Sequence, residues 1–397
     1  MGPGSELPES TSPDLHLCHP TPDECVKIST YTSAAWKDSL TVPVYLQESD
    51  VLATVPLAKD GGLTSWALVD KNQAPNQRHI LCSCESFRKR ALTSDASGNV
   101  EDVIIHGIAS VFCAPQYRRR GYATRHMKEL GEILRNWQLE HGRCIGSILY
   151  SDIGKKYYAE LGWTPNRSNF HLRFPTFQAD WPDLTRPVFG KDLEQLCKRD
   201  EAHVRYALAQ PEPLIRRRVT ILPDLDHMLW HIRKEEFGTK YLFDEIAGEK
   251  GVIAGNPGRV AWAVWTRRYY DHPDGESPDN VLYILRLVVE GDSTANQVYP
   301  HNDEELEAEE AVDDQQASAV RAVLQAAQAE ATKWKLQHIE LWEPSPLVRN
   351  IVRQSGFSCE EVEREDKSIA SGMWYMGNGD ELVEAPAWIN NEHYAWC

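Results

Sequence analysis

The tightest constraint on the fold of this chain is a junction inside its first half. Residues 103–113 (VIIHGIASVFC) form a long apolar run rich in β-branched side chains, as expected of a strand buried on both faces. The run passes directly into APQYRRRGYA. Beyond it Met127, Leu130, Leu134 and Trp137 recur at helical spacing, and Gly142 offers a stop. Residues 144–150 (CIGSILY) read as another strand, and 152–161 as a short helix closed by Gly162. Upstream, 22–37 reads as a helix, 65–70 and 79–92 as strands, and 94–99 as a turn. Strand, glycine-bearing turn, helix, strand, helix in that order predicts an α/β unit.

The same order returns later. Residues 280–290 (NVLYILRLVVE) repeat the long buried strand, and 315–335 a helix with Val320, Leu324, Ala327, Ala331 and Trp334 on one face. Then come a strand at 338–342 (HIELW) and a short helix at 347–354, ended by Gly356. Only the join differs: RRRGYA in the first copy, an acidic loop (291–314) in the second. This reads as an internal duplication whose second copy lost its glycine turn. Between the copies, 164–190 hold four prolines and little periodicity, which marks a boundary. The expected plan is a disordered stretch at 1–20, a first domain at 21–175 and a second at 176–397, with helices at 193–208 and 225–237 and a strand at 259–265.

The 397 residues carry 42 basic and 59 acidic side chains, a net charge of −17, with eight of the acids in 303–314. Such a balance argues against non-specific nucleic-acid binding and suits a cationic partner. No apolar span approaches the roughly 20 residues of a membrane helix, and the N-terminus lacks a basic-then-apolar signal. A cytoplasmic protein with no membrane or nucleic-acid partner is expected. The nine cysteines are odd in number and scattered, and Cys82-Ser-Cys84 has no second half, so neither a disulfide framework nor a metal is expected.

Chemistry concentrates at the junction. Arg118-Arg119-Arg120-Gly121-Tyr122-Ala123 lies between a buried strand and a helix, whose first N–H groups are unpaired and carry partial positive charge. Small side chains at Gly121 and Ala123 let a diphosphate approach those amides, and three arginines add charge. The segment is neither a Walker loop nor a dinucleotide fingerprint. A nuclear-localisation or nucleic-acid patch, or a plain solvated helix start, are the competing readings.

With this junction and the later Tyr157-Tyr158-Ala-Glu-Leu-Gly162-Trp163, the chain resembles the GCN5-related N-acetyltransferase superfamily. Arg118-x-x-Gly121-x-Ala123 matches that superfamily's [Q/R]-x-x-G-x-[G/A] pattern, and the resemblance covers about 30–170. SDIGKKYYAELGW (151–163), the Trp-rich second half and the NEHYAWC ending resemble the fungal lysine N-acetyltransferase family. The resemblance implies an α/β (α+β) fold with a mixed central sheet and a second, degenerate acetyltransferase-like domain. It implies acetyl-CoA in a gap between splayed strands. Val111, Phe112 and Cys113 would face its acetyl and pantetheine groups. Arg118, Arg119, Arg120, Gly121, Tyr122, Ala123 and Thr124 would hold its diphosphate, with Ser151 and Gly154 across the gap. Tyr158 would return a proton to the CoA thiolate.

The amine substrate implied is free L-lysine, in lysine catabolism; a polyamine, an amino sugar, a protein lysine or catalytically silent acyl-CoA binding are the alternatives. A lysine ε-amine has a pKa of about 10.4, so it must shed a proton before attack. His106 and Asp152 are the candidate bases nearest the motifs in sequence; Glu85 and Asp70 are equally weak candidates. Cys113 as a covalent nucleophile is the weaker reading, since a bound amine attacks a thioester directly. A free amino acid also needs an arginine or hydroxyl for its carboxylate and an acidic or aromatic contact for its ammonium. Trp262, Trp265, Tyr269, Tyr270, Trp374, Tyr394 and Trp396 read mainly as core, and Glu343 is an unsupported guess. The oligomeric state has no sequence signal.

Overall fold

The structure is a computed structural model and describes residues 7–183, 185–276, 278–295, 312–375 and 384–396. The first half contains β1 (Leu15–Cys18), α1 (Pro22–Trp36), α2 (Val42–Leu52), β2 (Leu63–Asp70), β3 (Cys82–Asp95), β4 (Val100–Phe112), α3 (Tyr122–Leu134), β5 (Cys144–Ser151), α4 (Lys156–Ala159), β6 (Thr164–Pro165) and β7 (Phe170–Pro175). The second contains β8 (Arg186–Val188), α5 (Leu193–Leu208), β9 (Arg217–Ile221), α6 (Leu225–Phe243), β10 (Gly251–Ala254), β11 (Ala261–Arg268) and β12 (Val281–Val289). It continues through α7 (Asp314–Lys333), β13 (His338–Trp342), α8 (Pro346–Ser355), β14 (Glu360–Glu363), β15 (Ile369–Trp374) and β16 (Ala387–Trp388).

Two mixed sheets result. One runs β1-β2-β3-β4-β5-β15-β6, with β9 and β16 added beyond β3; the other runs β14-β7-β13-β12-β11-β10-β8. Each holds a parallel pair that opens before its first strand ends; the first sheet also pairs β9 with β16 in parallel. Pairing of β4 with β5 stops at Ile108 and Leu149, while β4 continues to Phe112. Pairing of β12 with β13 stops at Ile284 and Leu341, while β12 continues to Val289. The two halves therefore share a gap as well as an element order.

No single cut at residue 175 separates the sheets. β7, on the first side of that cut, lies between β13 and β14 in the second sheet; β15, on the other side, lies between β5 and β6 in the first. The crossing chains hold each other. Buried Asn169 accepts from Ala370 N at 2.7 Å, and Arg364 N donates to Asn169 O at 2.9 Å. A core packs Ile105, Ile145 and Ile148 of the first half with Trp262, Val264 and Leu285 of the second, so apolar burial binds the halves into one body.

The expected disorder of 1–20 is corrected for residues 7–20. Leu15–Cys18 is an antiparallel edge strand on β2, and Leu15 is buried. The polar, proline-rich composition around it hid a four-residue strand stabilised by its neighbour. Residues 1–6, most of the acidic loop (296–311) and Cys397 lie outside the described residues.

Candidate active site

The first-half gap combines three features that local sequence explains. The first is a bulge. Glu85 pairs with Ala109 and Ser83 with Phe112, so Ser110 and Val111 together oppose Cys84. Ser110 takes a left-handed φ of 54°, strain that a non-glycine residue rarely adopts. A bulge takes its extra residue out of the ladder, and this one does so where β5 has already turned away.

The second is the turn into α3. Gly121, the residue before the helix, has φ 82°, and Arg119 has φ 60°. No side chain caps α3, so its first N–H groups stay open at the mouth of the gap. Arg118, Arg119, Arg120 and Gly121 are exposed. Arg118 Nε donates to Cys113 O at 2.9 Å, and its guanidinium lies 5.6 Å from the Phe112 ring. Residues 8–10 form one wall: Tyr122 Oη donates to Pro8 O, Arg125 Nη1 donates to Ser10 O, and a Cβ at position 121 would come within 2.6 Å of Ser10 Oγ. Open amides, glycine and exposed arginines are the donor set a diphosphate needs.

The third is Tyr158. Its ring packs in a buried cluster with Ile108 and Leu149, the last paired residues, so it sits in the crotch of the gap. Burial raises its phenol well above the usual range, which keeps it protonated. Its hydroxyl has no hydrogen-bond partner among the described residues, whereas Tyr157 Oη is 3.4 Å from Thr124 Oγ1.

The expected bases fare differently. His106 is corrected: it is wholly buried in the paired part of β4, between Gln138 Oε1 (3.3 Å) and Cys144 Sγ (3.4 Å), and burial lowers its pKa to about 4. Asp152 is exposed, and its Oδ1 accepts from Ser368 N, fastening the approach to β15. Ser151 and Gly154 are committed elsewhere: Ser151 Oγ donates to Gly154 O within their turn, and Gly154 N donates to Asp366 O in the approach to β15. Cys113 Sγ donates to Leu81 O at 3.2 Å, and burial raises its thiol, which leaves it unsuited to attack.

The carboxylate that faces the bulge is Glu85. Ser110 Oγ donates to Glu85 Oε2 at 2.8 Å, and burial pushes the carboxyl above the ordinary carboxylate range. Strand alternation turns Cys84 toward α3, where it meets His126, and Glu85 toward the opposite face. Glu85 lies within electrostatic reach of Cys25 of α1 and Tyr45 of α2. The serine that breaks the apolar run at 110 was the one sequence signal for this pair.

A cavity of about 940 Å³ lies instead at the second gap, beside Leu287, Val288 and Val289. Its size favours it and its chemistry does not: among the described residues eight carboxylates and four arginines line it. The opening itself is plugged by the C-terminal segment. Arg286 bonds Glu392 and Asn390, and its Nε meets Asp200 Oδ2 at 2.8 Å, while Glu392 Oε2 accepts from Leu287 N. Glu343 accepts from Ser168 Oγ and Phe170 N, so it ties down the strand crossing; burial raises its pKa to about 7. Among the described residues no group of three metal-ligating side chains occurs, and no helix is long and apolar enough to cross a membrane.

Comparison with known proteins gives the family and the fold. Residues 171–397 match a family model described as the LYC1 GNAT-like C-terminal domain. A lysine acetyltransferase of Yarrowia lipolytica is 23% identical over 158 residues, which span 36% of this chain and 38% of that protein. The N-myristoyltransferase of Saccharomyces cerevisiae, solved with myristoyl-CoA bound, superposes with a TM-score of 0.51 at 8% identity, covering 93% of this chain and 80% of the other. A GCN5-related N-acetyltransferase from Kribbella flavida gives 0.45 at 17% identity, covering 90% and 70%.

Proposed function

From a chain that belongs to the LYC1 GNAT-like family, we infer an acyl-CoA-dependent N-acyltransferase, with acetyl-CoA as donor and the ε-amine of free L-lysine as acceptor. The observation that carries this is the open first-half gap, with a bulge on one strand, open helix amides at its mouth and Tyr158 in its crotch. Lysine is supported by the name of the Yarrowia lipolytica relative and by the acidic chain. In this reading the residues at 118–124 hold the diphosphate of the substrate thioester. Glu85 accepts the proton of the incoming ammonium, for which a carboxyl raised toward neutrality is better matched than an ordinary one. The neutral amine attacks the thioester carbonyl, and a bulge N–H, that of Val111, stabilises the tetrahedral oxyanion. Collapse expels the CoA thiolate, which takes a proton from Tyr158, and the amide nitrogen gives up its remaining proton to the Tyr158 phenolate, so that the phenol is regenerated.

The test is CoA release from acetyl-CoA with a panel of free amines. Turnover of L-lysine is expected, with Tyr158→Phe lowering kcat far more than acetyl-CoA affinity. Failure to turn over any amine would overturn the enzyme reading, and turnover of another amine in preference to lysine would overturn the substrate.

A further inference from the structure

Residues 7–14, ahead of β1, lie across the start of α3, and both ends of the segment are fixed. At one end Leu7 packs against the cluster that holds Leu15, Tyr117 and Tyr122. At the other, Leu15 N donates to Ser12 O at 3.2 Å, Lys71 Nζ donates to Pro13 O at 3.0 Å, and Lys71 pairs with Asp14 at 3.2 Å. Between these anchors α3 itself reaches out to the segment. Tyr122 Oη donates to Pro8 O at 2.5 Å, and Arg125 Nη1 donates to Ser10 O at 3.2 Å. Tyr122 is buried and Arg125 also pairs with Glu129, so both side chains are committed to the protein rather than to a ligand.

What these ties bring to the cradle is a hydroxyl. Ser10 Oγ lies 2.6 Å from where a Cβ on Gly121 would stand. With a Cα–Cβ bond of about 1.5 Å, that puts it within about 4 Å of the Gly121 Cα. Ser10 O is taken by Arg125, but among the described residues Ser10 Oγ has no hydrogen-bond partner. A serine hydroxyl has one proton to donate and rotates to suit an acceptor. Beside the open amides of α3 it extends the set of donors that a diphosphate meets. Glu9, next to it in the segment, is exposed, where solvent and salt screen its charge.

We propose that residues 7–14 are a strap of the acyl-CoA site, in which Ser10 Oγ donates to the diphosphate and Tyr122 and Arg125 are positioning residues that hold the strap in place. The strap rests on the diphosphate reading of residues 118–124. It gives the Tyr122 side chain of the RRRGYA motif a task that the motif alone does not assign: the backbone N–H faces the ligand, and the phenol fastens Pro8, 114 residues earlier in the chain. A diphosphate bridging Ser10 and the start of α3 then holds the two segments together, so the ligand steadies the strap as well as the turn.

The experiment uses the full chain as wild type, Ser10→Ala and Tyr122→Phe. It measures the CoA dissociation constant by calorimetry, and kcat and KM for two donors, acetyl-CoA and S-acetylpantetheine, which lacks the diphosphate. Ser10→Ala is expected to weaken CoA by about tenfold, the range of one hydrogen bond to a charged group. It raises the acetyl-CoA KM to match while kcat holds, and leaves S-acetylpantetheine kcat/KM within about twofold. Tyr122→Phe acts in the same direction by about threefold, the scale of a neutral hydrogen bond. Saturating CoA slows amide hydrogen exchange at residues 7–14 in the wild type. An unchanged CoA dissociation constant in Ser10→Ala overturns the strap. Equal losses with both donors also overturn it, as a purely structural role. A wild type that uses S-acetylpantetheine as well as acetyl-CoA overturns the diphosphate reading and the strap with it. Turnover of no amine, with CoA affinity still lost in Ser10→Ala, overturns the acyltransferase reading and leaves the strap standing.

Discussion

The two gaps in this molecule are built on the same plan and reach opposite ends. In each, a long strand outruns its parallel neighbour by four or five residues' pairing. Behind β4 the chain turns through Gly121 into α3 and leaves amides and arginines open. Behind β12 it enters an acidic loop, and residues 390–392 of the C-terminal segment occupy the opening through Arg286, Leu287 N and Asp200. The lesson is that a shared backbone gap carries no affinity by itself. On the proposed reading an anionic ligand is admitted by what the turn presents and refused by what a later segment inserts.

Substitutions that break one gap and spare the other sharpen this contrast. The largest effect is expected at Glu85. Glu85→Gln should lower kcat by about 10²- to 10⁴-fold with acetyl-CoA affinity unchanged, checked by steady-state kinetics and calorimetry. In the wild type kcat/KM for the amine should rise with pH as Glu85 loses its proton, with a midpoint above the ordinary carboxylate range; the variant should lose that limb. Next is the plug. Glu392→Ala leaves buried Arg286 with Asp200 as its carboxylate partner and should cost about 3–5 kcal/mol in denaturant unfolding, with the CoA dissociation constant unmoved.

The strand crossing belongs to both halves. Asn169→Ala strands the buried Ala370 N–H and should cost about 1–3 kcal/mol in the same unfolding experiment. The smallest effect is expected at the cradle. Gly121→Ala puts a Cβ on a left-handed residue and against Ser10, and should raise the acetyl-CoA KM by roughly tenfold while kcat holds.

The pattern of residues foretold the parts that depend on local physics. The helix at 193–208 and the strand at 338–342 fall where periodicity put them, and the junction between β4 and α3 does too. The strand exchange was not legible, because IASGMW at β15 says nothing about which of two similar sheets it will join; a partner more than 200 residues away decides. Glu85 was named among the candidate bases but could not be singled out, for a related reason. Its setting depends on Ser110, 25 residues on, and on a register slip that no composition announces. His106 misled because a histidine beside an apolar strand reads the same in sequence whether it faces a ligand or, as here, the core.

A crystal structure of the full chain with CoA tests the central contrast most directly. The account predicts one CoA, its diphosphate hydrogen-bonded to backbone N–H groups at 121–124 and its thiol between Val111 and Tyr158, with the second gap still closed by Glu392. A CoA seated in the 940 Å³ cavity beside Leu287, Val288 and Val289, with the first gap empty, would contradict it.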